Sequence, residues 1–275
     1  MKMKIYIILI ANMLVICYNG YSQDNYYRTA LYIYGGIPQL EHVDTSYKVL
    51  INTTFAVGYS DDLKNPIWVA FRYGNKKGVS LFPKWKRPYD FRVDLRTNSK
   101  VTHDDYTSSG YDRGHLAPNA AMLAQYGQMA QLETYFMSNI SPQTPELNRG
   151  IWQRLEAKIG ENLSQDDRNN KEVHDLFVVT GPIFEAQPPD TLDSGVSIPT
   201  HFFKIISFQK GYSKTVKAIA FIFPQDPISN DLLDYATTVD EIEVKTGINF
   251  APELSTIKQD NLESRKRNFE LEEIQ

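Results

Sequence analysis

The residues that can do chemistry are concentrated in three short blocks between positions 111 and 156. In chain order these blocks are Asp112-Arg113-Gly114-His115, Ser138-Asn139-Ile140-Ser141-Pro142-Gln143 and Leu147-Asn148-Arg149-Gly150-Ile151-Trp152-Gln153-Arg154-Leu155-Glu156. Together they offer an imidazole, amides, guanidinium groups and a carboxylate. Hydrolysis of a phosphodiester needs such a set: a base for the attacking water, a hard cation for the phosphate and leaving oxygens, and arginine for the developing charge. The blocks therefore favour phosphodiester chemistry.

Other common kinds of reactive site are missing from the sequence. It contains no G-x-x-x-x-G-K-[ST], H-E-x-x-H or G-x-S-x-G motif and no EF-hand loop. None of its 5 histidines pairs with another at short metal-ligand spacing, and its 1 cysteine allows neither an internal disulfide nor a cysteine zinc site. The net charge of -4 excludes a protein that holds nucleic acid by bulk positive charge alone.

In order and spacing, the three blocks resemble the DNA/RNA non-specific endonuclease family, the D-R-G-H branch of the ββα-metal (His-Me finger) nucleases. The first block matches the family signature in full, and the S-N-x-x-P-Q and L-N-x-G-x-W-x-x-L-E patterns follow at similar distances. Weaker matches at 179–182, 198–199 and 238–242 extend the resemblance over roughly residues 50–255. It implies an α+β fold of the ββα-metal (His-Me finger) type, with a central, mostly antiparallel sheet and flanking helices.

The resemblance assigns the general base to His115 and the direct metal ligand to Asn148. An imidazole with an ordinary pKa of about 6.5 is partly neutral at working pH and can take a proton from water. A neutral amide oxygen suits Mg²⁺, which keeps several waters and binds few protein groups. Mn²⁺ or another divalent cation is the alternative metal. From its residue type alone, Asn148 is also a candidate helix N-cap.

Glu156 is expected to reach the same cation through a water molecule. If 148–156 is one continuous helix, Asn148 and Glu156 are separated by a rise of about 12 Å and a rotation of about 80°. Both side chains then cannot easily bind one ion directly, so Glu156 would accept a hydrogen bond from a metal-bound water. The alternative is a solvated helix carboxylate with no part in the site.

Two arginines in the blocks are candidates for contact with phosphate. Arg113 lies two positions before His115, so on a strand both side chains share one face. Arg113 would grip a phosphate oxygen or brace the site, and its alternative is an ion pair with Asp112, which we expect to be structural. Arg149 is a candidate substrate-binding residue in a basic groove.

Arg87 is the candidate for the family's second arginine, which stabilises the pentavalent phosphate. Arg92 and Arg96 compete for that assignment, and a solvated basic loop is the alternative for all three. A basic groove would be lined by Lys84, Lys86, Arg87, Arg92, Arg96, Arg113 and Arg149. Asn139 matches a family amide and is expected to orient the base or its waters. Trp152 is expected to pack in the core rather than stack on a base.

The resemblance, together with the N-terminal pattern described below, predicts an exported Mg²⁺-dependent endonuclease that cleaves DNA and RNA without sugar specificity. The resemblance implies products with 5′-phosphate and 3′-hydroxyl ends and little sequence preference, as contacts to phosphate and sugar would give. Two alternatives remain open: a phosphodiesterase for small nucleotides, and a non-catalytic nucleic-acid-binding protein of the cell surface. Activity with and without a chelator discriminates between them. The sequence does not indicate whether an inhibitor protein binds the chain or which oligomeric state it has.

The N-terminus has the pattern of a secretory signal peptide. Lys2 and Lys4 precede the apolar run 5–17, which is shorter than the roughly 20 residues of a membrane span. Small residues before position 23 predict cleavage after Ser22, which would leave a secreted or periplasmic protein with no membrane attachment. Loss of the two lysines takes the net charge from -4 to -6. The alternatives are an uncleaved anchor and a lipoprotein attached through Cys17.

The elements that must position these residues are read from hydrophobic patterning. We divide the chain into the signal peptide 1–22, an N-terminal extension 23–49, one endonuclease domain 50–257 and a charged C-terminal tail 258–275. Strands are predicted at 50–57, 67–72, 176–180, 202–208 and 216–223. Helices are predicted at 122–131, 151–163, 230–236 and 239–246, the last ended by Gly247, and 164–173 is predicted to be an exposed loop.

Overall fold

The central element of the fold is a seven-stranded antiparallel sheet. The computed structural model describes residues 29–41, 46–74, 85–162, 173–185, 188–210 and 215–264. Over these residues the strands are β1 (Gln39–Leu40), β2 (Lys48–Ile51), β3 (Phe55–Ser60), β4 (Asn65–Tyr73), β5 (Asp112–His115), β6 (Ile140–Gln143), β7 (Val173–Ile183), β8 (His201–Lys210), β9 (Val216–Pro224), β10 (Ala236–Thr237) and β11 (Ile248–Asn249). The central sheet has the order β10-β9-β8-β7-β4-β3-β2, and each neighbouring pair is antiparallel.

Helices cover both faces of this sheet. The described α-helices are α1 (Asn119–Tyr126), α2 (Gln128–Glu133), α3 (Pro145–Leu147), α4 (Gln153–Asn162), α5 (Val239–Thr246) and α6 (Thr256–Glu263). Helix α4 buries Leu155 and Ile159 against one face, while α5 and α6 bury Ile242 and Leu262 against the other. The result is the expected α+β arrangement of a central antiparallel sheet between helical layers.

The strands of the sheet alternate between two apolar faces. In β8, Phe202, Ile206 and Phe208 join the core beneath α4, whereas Phe203 and Ile205 join the core beneath α5 and α6. Because both faces are covered, the central strands are almost continuously apolar instead of alternating with polar residues. Such continuous apolar runs can be recognised in the sequence. The predicted strands at 67–72, 176–180, 202–208 and 216–223 are confirmed within β4, β7, β8 and β9.

A separate two-stranded unit carries the first two reactive blocks. Strands β5 and β6 pair antiparallel, with Asp112 opposite Gln143 and His115 opposite Ile140. The chain then passes through α3 and a π-helical turn, Asn148–Trp152, into α4. Two strands followed by a helix are the ββα arrangement that the resemblance implied. Trp152 is 1% exposed and packs edge-on against Phe202 and Phe223, so its predicted core position is confirmed.

Several element boundaries differ from the prediction for local reasons. The predicted strand 50–57 is two strands, because the chain reverses at Thr53 and Thr54 and Asn52 N donates to Phe55 O at 2.9 Å. The predicted helix 122–131 is broken at Gly127, which has φ 89° between α1 and α2. The apolar residues continue across both breaks, so patterning alone does not show them.

The C-terminal elements also differ from the prediction. The segment 230–236 forms only a 3-10 turn, Leu232–Tyr235, before pairing as β10. Helix α5 matches the predicted range 239–246 and ends at Gly247 with φ 66°. Helix α6 continues across position 257 into the predicted charged tail 258–275 and buries Leu262.

Three sequence predictions fall on other parts of the chain. The signal peptide 1–22, Lys84 and most of the loop 164–173 lie outside the described residues. Within the described ranges, no helix is both long and apolar enough to cross a membrane.

Candidate active site

A cleft of about 890 Å³ opens beside the unit formed by β5, β6 and α4. Its walls include all the site residues predicted from sequence except one: Arg87, Arg113, His115, Asn148, Arg149 and Glu156. Residues that are up to 69 positions apart in the chain therefore meet in one cavity, since Arg87 and Glu156 both line it. Asn139 is the exception.

His115 ends strand β5 in a largely apolar setting, 9% exposed. Its ring packs against Phe91, with centroids 5.2 Å apart, and edge-on against Tyr135, with centroids 5.0 Å apart. Nε2 is buried and has no hydrogen-bond partner in the described structure. Nδ1 also makes no hydrogen bond to a described residue, but it is not fully buried. Burial, helped by the nearby positive charge of Arg87, lowers the pKa of His115 to about 3. The imidazole is therefore neutral and can accept a proton through Nδ1.

Tyr135 connects the histidine to Arg87. Arg87 Nε donates to the Tyr135 hydroxyl at 2.7 Å, and Asn119 Nδ2 donates to the same oxygen at 3.0 Å. Only Nε of Arg87 is held in this way. Its two terminal nitrogens make no hydrogen bond to a described residue, so they are available to an anion in the cleft.

The two arginines that competed with Arg87 lie elsewhere. Arg96 forms an ion pair with Asp94 at 2.7 Å and donates to the side chain of Asn52 at 2.8 Å, so its guanidinium is committed to structure. Arg92 is exposed and is not among the residues that line the cleft. Of the three arginines, Arg87 alone lines the cleft.

Asp112 fixes the amide of Asn148. Asn148 Nδ2 donates to Asp112 Oδ2 at 2.9 Å. Although burial opposes it, the hydrogen bonds from Arg149 and Asn148 hold the pKa of Asp112 below its ordinary value, so this carboxylate is ionised. With the amide nitrogen committed, Oδ1 of Asn148 is the free atom, and no described residue donates to it. A carboxylate that orients a ligand in this way is common at metal sites.

Asn148 is not a helix N-cap. Thr144 occupies that position and its Oγ1 accepts from Leu147 N at 3.3 Å, while Asn148 follows the last residue of α3. The alternative interpretation of Asn148 as an N-cap is therefore wrong. Its amide oxygen is free for a different purpose.

The stretch between Asn148 and Glu156 is not one regular helix. Gly150 has φ -99° and ψ -117°, which are non-helical values, and α4 starts only at Gln153. The separation of about 12 Å expected for a continuous helix therefore does not apply. Glu156 nevertheless lines the same cleft as Asn148, as the expected shared cation requires.

Glu156 forms an ion pair with a lysine that the sequence analysis did not single out. Lys204 Nζ lies 3.2 Å from Glu156 Oε1, and the side chains are 0% and 19% exposed respectively. The same Nζ lies 3.9 Å from the ring centroid of Trp152. Burial raises the pKa of Glu156 and lowers that of Lys204, while each charge opposes the shift of the other. Glu156 is therefore not the solvated carboxylate of the alternative interpretation.

The oxygens of Asn148 and Glu156 fit a hard divalent cation. Asn148 offers an amide oxygen with no described donor, and Glu156 offers a carboxylate whose Oε1 accepts from Lys204. Both face a cavity with room for several waters. Few protein oxygens and many waters are the surroundings that Mg²⁺ prefers.

The two remaining arginines are partly occupied. Arg113 donates from Nη2 to His103 O at 2.7 Å and to Thr107 Oγ1 at 3.0 Å, so it braces the segment before β5. Its expected alternative partner, Asp112, pairs instead with Arg149 at 2.6 Å. Arg149 is 70% exposed, which leaves it accessible to a ligand despite this ion pair.

Asn139 lies behind the site and not in the cleft. Its side chain is fully committed to backbone groups: Oδ1 accepts from Ala117 N at 2.9 Å, and Nδ2 donates to Ala117 O at 3.1 Å and Thr134 O at 3.0 Å. The residue is 0% exposed. It cannot orient waters at His115 directly, so the expectation is corrected to a clamp on the chain that follows β5.

Two residues of the site were missed in the sequence. Lys204 sits between Phe202 and Ile206 on the buried face of β8, and a lone cation at an inward position of an apolar strand is a usable signal. Tyr135 offered no comparable signal, because it lies in a short connection after α2 and an aromatic residue there is ordinary.

Known nucleases are similar to this chain over most of its length. The sequence model described as DNA/RNA non-specific endonuclease matches residues 41–257. A nuclease of Nostoc sp. (strain PCC 7120) is 31% identical over 231 residues, covering 80% of this chain and 79% of its own. The mitochondrial endonuclease G of Homo sapiens is 31% identical over 183 residues, covering 62% of this chain.

The chain spans 58% of the length of that human protein and 60% of the mitochondrial nuclease EXOG of Danio rerio. Among solved structures, EndoG in its complex with EndoGI superposes with a TM-score of 0.63 at 24% identity, covering 82% of this chain and 91% of the other. That likeness concerns the fold, which it shares with the sheet and helices described above.

Proposed function

Because the chain belongs to the DNA/RNA non-specific endonuclease family, a family of nucleic-acid-hydrolysing enzymes, we propose that it cleaves both DNA and RNA with His115 as general base and Asn148 as metal ligand. One observation carries the proposal: a neutral buried imidazole, an unpaired arginine edge and a pre-oriented amide oxygen line the same cleft. Their convergence supports phosphodiester hydrolysis.

In this mechanism Nδ1 of His115 takes a proton from a water molecule in the cleft. The oxygen of that water attacks phosphorus, and the bond from phosphorus to the 3′ oxygen breaks with its electron pair going to that oxygen. A second water molecule of the solvated cleft gives this oxygen a proton, which leaves a 5′-phosphate and a 3′-hydroxyl. The low pKa keeps the imidazole neutral over the whole neutral range, so its acceptor nitrogen carries no proton before the water binds. Packing between Phe91 and Tyr135 fixes the ring plane.

Asn148 and Glu156 would hold Mg²⁺, Asn148 directly and Glu156 through a water. When bound, the cation neutralises charge on a non-bridging phosphate oxygen and on the leaving oxygen. Asp112 supports this by keeping the amide oxygen of Asn148 free. Lys204 supports it by holding Glu156 Oε1.

Arg87 would stabilise the negative charge that develops on the phosphate. Tyr135 holds Nε, so the terminal nitrogens are presented as a fixed pair of donors. Arg149 would add a further phosphate contact at the rim. Contacts of this kind are to the backbone and carry no sequence information, which supports cleavage with little sequence preference.

Plasmid nicking by the protein comprising residues 23–275 tests the proposal. We expect cleavage of plasmid DNA and of RNA with Mg²⁺, none with EDTA, and loss of at least a thousand-fold in rate for His115→Ala, on the order of removing a catalytic base. His201→Ala is the matched control, because His201 lies outside the cleft and contacts Glu185. Metal-independent cleavage, or full activity of His115→Ala, would overturn the mechanism. Cleavage of small phosphodiesters alone would favour the nucleotide phosphodiesterase.

We further propose that the enzyme is exported. The support is the charged and apolar pattern of residues 1–22, which lie outside the described part of the chain. Expression of the full chain followed by N-terminal sequencing of the secreted or periplasmic protein should give Gln23 as the first residue. A cytoplasmic protein that retains Met1 would contradict export.

A further inference from the structure

Three carboxylates meet on the side of the sheet opposite the cleft. Asp240 and Glu243 belong to α5 and Glu263 to α6, and one oxygen from each lies within 4.8 Å of the others. Helices α5 and α6 pack on the face of the sheet that does not carry α4. This carboxylate cluster is therefore separate from the proposed Asn148 site.

Glu263 is the member that most needs an explanation. It is only 6% exposed, and its Oε1 is buried without a hydrogen-bond partner. The neighbouring Glu243 is held in place, because its Oε1 accepts from Phe250 N at 2.8 Å. A buried carboxylate oxygen with no donor is costly for a folded protein. The helices bring this buried carboxylate to two further carboxylates, with one oxygen of each residue within 4.8 Å of the others.

No described cation balances this charge. None of the three carboxylates forms an ion pair with a lysine or arginine in the described ranges, and Asp260 and Glu41 add negative charge nearby. Burial and the neighbouring carboxylates raise the pKa of Glu263 to about 8, and the pKa values of Asp240 and Glu243 are raised as well. Such a cluster is relieved either by a shared proton or by a bound cation.

We propose that Asp240, Glu243 and Glu263 bind one Ca²⁺ ion and so fasten helix α6 to helix α5. All three ligands are oxygens, which excludes the nitrogen and sulfur sets that Zn²⁺ favours. Ca²⁺ accepts six to eight oxygens in flexible geometry, and the exposed side at Asp240 leaves room for waters. The buried oxygen of Glu263 then gains the positive partner that no residue of the described ranges supplies.

Calcium counting on the full chain tests this inference. In equilibrium dialysis with Ca²⁺ at neutral pH, Glu263→Gln should remove one bound ion per chain, both in the wild type and in an Asn148→Ala background. The Asn148→Ala background keeps the test independent of the proposed catalytic metal. Asp260→Asn is the matched control: it removes a nearby charge without removing a ligand, and should keep the ion.

Thermal unfolding of the same proteins gives the second readout. Ca²⁺ in excess over EGTA should raise the Tm of Asn148→Ala, and the rise should vanish in Asn148→Ala/Glu263→Gln. Without calcium, Glu263→Gln should unfold at the same temperature as its parent or higher, because it removes a buried repulsion; this establishes that the variant folds. Equal calcium binding with and without Glu263, or a Tm that does not respond to Ca²⁺, would overturn the site in favour of a shared proton.

Discussion

His115 holds a neutral imidazole in a buried position, and this links folding to pH. Its pKa is about 3 in the folded chain and about 6.5 when unfolded. Between these values the unfolded chain binds more protons, so stability must fall as the pH falls from 6.5 towards 3. The loss from this one group reaches at most about 1.4 kcal/mol per pH unit.

Urea unfolding of the wild type and His115→Asn at several values between pH 7 and pH 4 measures that contribution. The wild type should lose stability more steeply than the variant on acidification, and the two curves should become parallel above pH 7. Parallel curves over the whole range would show that the imidazole is not buried as a neutral base.

The pair Glu156 and Lys204 is unequal in burial, which predicts unequal costs. Lys204 is 0% exposed, so Glu156→Gln leaves a buried ammonium without its partner and should lower stability by about 3 kcal/mol. Lys204→Met should cost less, because Glu156 retains some access to water. Urea unfolding of both variants checks the order.

The double variant Glu156→Gln/Lys204→Met separates stability from activity. It should recover much of the stability lost in Glu156→Gln but remain impaired in nuclease activity, because the carboxylate that faces the proposed cation is still missing. A double variant that regains both would reduce Glu156 to a purely structural partner of Lys204.

Asp112 is predicted to act on the metal through Asn148. Asp112→Ala frees the amide to rotate, so the Mg²⁺ concentration for half-maximal activity should rise about tenfold. Arg149→Met is the control, since it removes the ion pair with Asp112 but leaves the hydrogen bond to Asn148. If both variants shift the Mg²⁺ requirement equally, charge in the cleft is responsible and not the orientation of Asn148.

At the scale of elements, the pairing of β5 with β6 requires a glycine at position 114. Gly114 faces Gln143 so closely that a Cβ at position 114 would overlap its side chain. Gln143 is 0% exposed and has little room to move. Gly114→Ala should therefore destabilise the protein by about 2 kcal/mol and displace His115.

A double-mutant cycle with Gln143→Ala tests this clash. The smaller residue should restore much of the thermal stability of Gly114→Ala, which a general intolerance of β5 to substitution would not allow. Strictly additive losses in Tm would contradict direct contact as the cause.

The elements also show which parts of the site can be predicted from hydrophobic patterning. The buried strands and the face formed by Ile151, Leu155 and Ile159 follow from periodicity, because a two-sided core demands it. The non-helical turn at Gly150 does not, since its neighbours still fit a helical pattern. The position of the Asn139 side chain could not be predicted from sequence either. An asparagine can bind waters or hold backbone groups, and the fold shows that it holds the backbone of Ala117.

At the scale of the whole molecule, charge is divided between the two faces of the sheet. The cleft face presents Arg87, Arg113 and Arg149, and the opposite face carries the carboxylate cluster of Asp240, Glu243 and Glu263. A net charge of -4 is then compatible with a polyanionic substrate. Charges more than about 8 Å from the substrate are largely screened at physiological salt, so the arginines of the cleft determine binding. The same division would turn the cleft towards the nucleic acid.

Salt dependence of binding measures how many cleft arginines touch phosphate. With His115→Ala to prevent cleavage, affinity for duplex DNA should fall linearly on a logarithmic salt axis, and Arg87→Gln should reduce the slope by about 0.9. Lys258→Gln, at an exposed position of α6 beyond the sheet, should leave the slope unchanged. If Arg87→Gln does not alter the slope, the phosphate is bound elsewhere. The hydrogen bond from Arg87 to Tyr135 would then not serve to position Arg87 for phosphate.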